Sequence, residues 1–174
     1  MRNAYSYRAI NGTRRKSEFV EVRNINALFV IDVQEEYMIQ YNGSLLTAIN
    51  RRIDESVKKN ELIVYVKNVR HLKSGTFIYE FADGLNVCSS HVAYKEQASV
   101  FSNDALLMLL RENNVSKIDI IGIDGCCCVA RTAADARTLG FEVTLPCSCI
   151  GVKNNERFEN KKTFLIKQGV CFTE

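Results

Sequence analysis

Apolar runs and amphipathic stripes alternate along this chain. Residues 27–31 (Ala-Leu-Phe-Val-Ile) and 62–66 (Leu-Ile-Val-Tyr-Val) are continuous apolar runs of strand length, the pattern of strands covered on both faces. Between them, the turn formers Asn42, Gly43 and Ser44 precede a helical stripe at Leu46, Ile49, Ile53 and Val57, closed by Lys58, Lys59 and Asn60. Residues 68–90 carry Gly75, Asp83 and Gly84 without a clear period and read as a long irregular excursion. A strand is predicted at 91–94, then a helix capped by Ser102, Asn103 and Asp104 with Leu106, Leu109 and Leu110 inward. Ile118, Ile120, Ile121 and Ile123 mark the next strand. A helix over 126–139 places Val129, Thr132, Ala133 and Ala136 on one face and stops at Gly140. A strand at 141–145, a helix at 156–167 and a short strand at 170–172 complete the pattern. Strands alternating with helices predict an α/β fold with parallel pairing through right-handed crossovers. Sites in such sheets lie beyond the carboxyl ends of the strands, where Asp32, Lys95 and the 124–128 stretch fall.

Composition narrows the function classes. The 174 residues are 47% hydrophobic and 25% charged, ordinary values for one globular domain. That domain is assigned to 27–174, with 1–26 as an N-terminal extension. A net charge of +3, scattered along the chain, argues against a nucleic-acid partner, and Arg14, Arg15 and Lys16 read as a solvated patch. No run approaches the roughly 18 apolar residues of a membrane span, and no apolar core follows the basic triplet as in a signal peptide. Seven cysteines, an odd number with Cys126, Cys127 and Cys128 consecutive, point to reduced thiols and a cytoplasmic location rather than a disulfide framework. His71 and His91 are the only histidines, and neither sits in a zinc-binding spacing.

Cys128 is expected close to the amino end of the 126–139 helix, where free N–H groups and the helix dipole are expected to lower a thiol pKa. Asp32 can take the thiol proton and return it to a leaving amine, and a nearby Lys95 would hold that carboxylate ionised. Backbone N–H groups of the 124–128 turn can stabilise an oxyanion. Taken singly, each feature has a plainer explanation: a turn aspartate, a solvated lysine, a cysteine buried as a small hydrophobe. The last is expected of Cys88, Cys147, Cys149 and Cys171. Neighbouring helical thiols diverge by about 100°, so the three consecutive cysteines cannot face one metal ion.

Three segments together resemble the isochorismatase-like cysteine hydrolases: Val30-Ile31-Asp32-Val33-Gln34; Lys95 with Ser99 and Phe101; and Gly122 through Val129, continuing past Thr132-Ala133 and Asp135-Ala136 to Gly140. The likeness spans about 27–172. It implies a three-layer, doubly wound, Rossmann-like sheet of about six parallel strands, with Asp32 as general acid/base, Lys95 as its charge partner and Cys128 as nucleophile. It also implies a cis peptide between Ile123 and Asp124, with the Asp124 and Cys128 N–H groups facing the substrate oxygen, and a homo-oligomer. Metal-binding nicotinamidases carry an Asp-x-His pair after the second strand; here Val69 precedes His71, so no metal and no other cofactor is expected. The thiol at 128 favours amide cleavage over the vinyl-ether hydrolysis of isochorismatases. The expected function is therefore amidohydrolysis of a small molecule through a thioester. Vinyl-ether hydrolysis and a catalytically silent binding or assembly module stand as alternatives. Gly125-Cys126 replaces a Thr-Asp pair common in relatives, and Pro146-Cys147-Ser148-Cys149 falls where relatives often have Asp-Ala. Tyr37 either lines the pocket or packs as a core aromatic. Phe77, Tyr79 and Phe81 form either a strand's inner face or a pocket wall.

Overall fold

The computed structural model describes residues 25–174. In chain order the elements are β1 (Ile25–Ile31), α1 (Glu35–Met38), α2 (Gly43–Lys58), β2 (Leu62–Asn68), the hairpin β3 (Arg70–Leu72) and β4 (Gly75–Phe77), then β5 (Val92–Lys95). They continue with α3 (Asp104–Glu112), β6 (Val115–Gly122), α4 (Cys128–Thr138), β7 (Glu142–Pro146), α5 (Asn155–Lys167) and β8 (Cys171–Thr173). The extension at 1–26 lies outside the described residues except for Ile25 and Asn26, which already belong to β1.

Six strands form one parallel sheet in the order β5-β2-β1-β6-β7-β8. From β1 at the centre, the chain winds outward through β2 to β5, returns to β6 and winds outward the other way. Because crossovers are right-handed, the two halves place their helices on opposite faces. Leu45, Ile49 and Ile53 of α2 pack over Leu28, Val30, Ile63 and Tyr65. Leu106 and Leu110 of α3, Val129, Ala133 and Ala136 of α4, and Phe158 and Leu165 of α5 cover Ala27, Phe29, Ile31, Val64 and Val66. This is the three-layer architecture expected from the alternating pattern.

The strand order reverses between β1 and β6, and their close approach sets a local requirement. Gly122 pairs with Ile31 and has φ +112; a Cβ there would collide with the Ile31 backbone. Asparagines open three of the helices: Asn42, Asn103 and Asn154 accept backbone N–H groups of Ser44, Ala105 and Arg157.

Three expectations change. The inner stripe of α2 is Leu45, Ile49, Arg52, Ile53 and Ser56, whereas Val57 is exposed. The polar members face inward because Arg52 Nη2 lies 2.9 Å from Glu61 and 2.7 Å from Asp119, while Ser56 donates to Glu61 at 2.6 Å. The excursion holds the exposed β3–β4 hairpin, and its aromatics divide. Phe77 is exposed, Tyr79 packs edge-on against Tyr37, and Phe81 packs against Tyr65 beneath Lys67. Of the cysteines expected to be buried, Cys149 is, donating to the Ala48 carbonyl, but Cys88 and Cys171 are exposed because they lie on a loop and an edge strand. No helix among the described residues is long and apolar enough to cross a membrane.

Candidate active site

Asp32 follows the last residue of β1, at the strand-order reversal. Its φ is +54, a left-handed conformation that costs a non-glycine residue about 1–2 kcal/mol. The backbone is fixed there by its N–H donating to the Val66 carbonyl and by its own carbonyl accepting from Gln34. The carboxylate is 6% exposed.

Lys95 ends β5, two strands away from β1, and its side chain is fully buried. It runs across the end of β2 to reach the centre. An ammonium has three protons to donate, and each has a partner: Asp32 Oδ2 at 2.8 Å, Asn68 Oδ1 at 3.2 Å and Cys128 Sγ at 3.3 Å. A lysine so buried is not the solvated group that sequence position alone favours.

Cys128 is the first residue of α4, and the preceding turn is tightly bonded. Cys127 and Val129 donate to the Asp124 carbonyl, Cys126 donates to Asp124 Oδ1, and Gly125 donates to the Gly151 carbonyl. The N–H groups of Asp124 and Cys128 have no acceptor among the described residues. Tyr41 donates to Asp124 Oδ2 at 2.8 Å, which with the Cys126 N–H on Oδ1 fixes that side chain. The Ile123–Asp124 peptide is cis. The Ile123 side chain, though, belongs to the core on the α2 face rather than to a pocket. Gly125 is required by packing, since Ile150, Phe158 and Val152 occupy the space of a Cβ. The three consecutive thiols diverge, but not on one helix: α4 starts at Cys128 rather than at the expected 126, and in the turn before it Cys126 is buried and Cys127 exposed, while Cys128 is half-buried.

The electrostatics reverse one expectation. Burial and the Asp32 carboxylate push the Cys128 thiol up to about 12, outweighing Lys95. Burial also raises Asp32 above the usual carboxylate range, against the opposing pull of Lys95. Lys95 itself is raised, because Asp32 and then Cys128 outweigh its burial. Burial and the facing carboxylate thus disfavour a standing thiolate at Cys128, while Lys95 opposes the push of burial on Asp32. Asp32 Oδ1 is buried and has no hydrogen-bond partner among the described residues.

One contributor, Asn68, belongs to none of the segments singled out in the sequence. Asn68 ends β2 and links Lys95 to Tyr37, donating to the tyrosine oxygen at 3.1 Å. Gln34 is fully buried and clamps the Asn68 N–H to the Tyr79 carbonyl. Tyr37 is half-buried against Tyr79, so it both packs and borders the site. Alternation along β2 was the available signal for Asn68, which shares a face with Val64 and Val66. Ser99 and Phe101 are structural: Ser99 caps a short turn, and Phe101 packs between Phe29 and Phe141.

A family model described as Isochorismatase domain matches residues 26–171. This chain belongs to the isochorismatase family. Among curated relatives of the family, it is similar to the isochorismatase family protein YaaI of Bacillus subtilis, 34% identical over 88 residues. That match covers 51% of this chain and about half, 48%, of YaaI. Its fold resembles the pyrazinamidase of Pyrococcus horikoshii in complex with zinc, with a TM-score of 0.74, 24% identity and coverage of 86% of this chain and 98% of that one. It also resembles the N-carbamoylsarcosine amidase of Thermoplasma acidophilum, with a TM-score of 0.73, 20% identity and coverage of 86% and 96%.

The zinc of the first of these raises the question of a metal here, and the side chains do not fit one. His71 sits on the exposed β3–β4 hairpin, bonded to Thr76 through Nδ1 and facing Glu96 through Nε2 at 3.2 Å. Val69 offers no donor atom. Among the described residues no group of three His, Cys, Asp or Glu side chains is arranged to hold an ion.

Proposed function

We propose that this isochorismatase-family protein is a hydrolase that cleaves the C–N bond of a small amide through a thioester on Cys128. The observation that carries the reading is the buried Lys95 ammonium, within hydrogen-bonding reach of both Asp32 and Cys128, together with the Asp124 and Cys128 N–H groups that have no acceptor among the described residues.

The raised thiol pKa sets the order of events. Asp32, ionised beside Lys95, takes the thiol proton as Sγ attacks the amide carbon, so thiolate character appears only in the transition state. The carbonyl oxygen becomes an oxyanion that accepts from the Asp124 and Cys128 N–H groups. Protonated Asp32 gives its proton to the nitrogen, the C–N bond breaks and an amine or ammonia leaves. A water then enters, Asp32 takes its proton, and attack on the thioester releases a carboxylic acid and restores the thiol. Lys95 keeps the ion pair intact between the two halves. The amidase names of structural neighbours favour this reading, as does a thiol where vinyl-ether hydrolysis needs none.

The test is ammonia release from a panel of small primary amides by wild type, Cys128→Ala and Asp32→Asn, with intact-mass detection of an acyl adduct. Both variants are expected to lose activity with the fold retained, and the adduct should map to Cys128. Full turnover by Cys128→Ala would refute covalent catalysis.

A further inference from the structure

The hydrogen bonds that converge on Lys95 have a fixed direction. An ammonium only donates, so Asn68 must present Oδ1 to Lys95 Nζ, at 3.2 Å. Its Nδ2 then faces Tyr37, at 3.1 Å, and an amide nitrogen also only donates. The Tyr37 oxygen is thereby the acceptor, and its own proton has no acceptor among the described residues. The backbone of Asn68 is pinned by the fully buried Gln34, whose other end holds the Tyr79 carbonyl, and Tyr79 packs edge-on against the Tyr37 ring at 5.7 Å. Every member of the chain from lysine to tyrosine is thus held in position, and its polarity originates in the lysine's charge.

We propose that Lys95, Asn68 and Tyr37 form a polarised relay that commits the Tyr37 hydroxyl to donate into the site, so that the preferred substrates are small amides carrying a second hydrogen-bond acceptor. This rests on the amidase reading of the same site and adds the substrate feature that it selects. Asn68 is a positioning residue: it acts through Lys95 and Tyr37 rather than on the reacting atoms. A donor facing a substrate that lacks an acceptor loses its hydrogen bond to water without replacement, which is worth about a ten-fold discrimination.

The experiment uses two pairs of neutral amides matched in shape: nicotinamide against benzamide, and malonamide against 3-methylbutanamide. Two readouts run in parallel, kcat/KM for ammonia release and protection of Cys128 from iodoacetamide followed by mass spectrometry. Wild type is expected to favour the acceptor-bearing member about ten-fold, chiefly through KM. Tyr37→Phe removes the donor, and the ratio should fall to about one. Asn68→Asp is decisive: it keeps the shape but replaces the amide donor by a carboxylate, which turns the Tyr37 proton back toward position 68. The preference should vanish there too, with Tyr37 still in place. A merely steric role for Tyr37 leaves the preference intact in Asn68→Asp. Equal handling of both members by wild type, or a preference that survives in Asn68→Asp, overturns the relay, while ammonia release keeps the amidase reading. If no member of either pair is hydrolysed or protects Cys128, the reading and the relay fall together.

Discussion

Replacing Lys95 by methionine should make the stability of this protein depend on pH more strongly than wild type does, because Lys95 opposes the upward push of burial on Asp32. The ammonium lies 2.8 Å from a carboxylate that is 6% exposed, and methionine fills most of its volume. At an effective dielectric constant of 20, opposite charges at that distance attract by about 6 kcal/mol. Without the lysine, Asp32 has a cheaper course than remaining charged, which is to bind a proton. A free aspartate titrates near pH 4, and each pH unit above that adds about 1.4 kcal/mol to holding the proton. At pH 7 the penalty therefore comes to about 4 kcal/mol, a large part of the 5–15 kcal/mol that holds a typical domain together. In the variant the folded-state pKa of Asp32 lies above its unfolded value. The stability associated with that proton is full below about pH 4 and is lost as pH rises toward the folded pKa. Urea unfolding at pH 5, 6 and 7 should thus show the gap between wild type and Lys95→Met widening, by at most about 1.4 kcal/mol per unit. Adding Asp32→Asn should abolish the slope. A gap that stays constant across this range would refute the assignment of Asp32 as a buried carboxylate held ionised by Lys95.

Iodoacetamide should label the exposed Cys88, Cys127 and Cys171 before Cys128 at pH 7–9, with the Cys128 rate still climbing above pH 10; early selective labelling of Cys128 would contradict the raised thiol. Arg52→Met should cost about 3–5 kcal/mol by urea unfolding, because it strands Glu61 and Asp119 in a largely buried setting. In wild type, Glu61 lies below its ordinary range despite burial, through its bonds to Ser56 and Arg52. That stability is present above the unfolded glutamate pKa, is lost as pH falls through the folded value, and should be missing from Arg52→Met. Gly122→Ala should destabilise by more than about 3 kcal/mol, since the collision is with the Ile31 backbone and cannot be relieved by a side-chain rotation.

The sheet was legible because buried parallel strands are continuous apolar runs, and 27–31 and 62–66 leave little alternative. The site was legible where several positions at strand ends combined: Asp32, Lys95 and the turn before α4. What stayed hidden depended on partners distant in sequence. Arg52 and Ser56 belong to the inner face of α2 only because Glu61 and Asp119 await them, and no periodicity in α2 records that. The acidity of Cys128 was misjudged for a similar reason. The helix start at 128 is local information, but the burial and the facing carboxylate that dominate the thiol come from β1 and the sheet around it. Asn68 and Tyr37 lie 31 positions apart, and only the folded sheet brings their side chains within 3.1 Å.

The strand order also governs when this molecule can begin to work. The acid, the lysine and the asparagine sit on the half wound β1 to β2 to β5, which a ribosome would deliver first, while the sulfur arrives with the half that begins at β6. Until β6 pairs with β1, Lys95 and Asp32 lack the Cys128 thiol that lies beside them in the complete fold. On the proposed mechanism, synthesis thus lays down the proton-handling groups before the nucleophile, and a truncated chain ending before the fourth sheet strand is expected to be inactive.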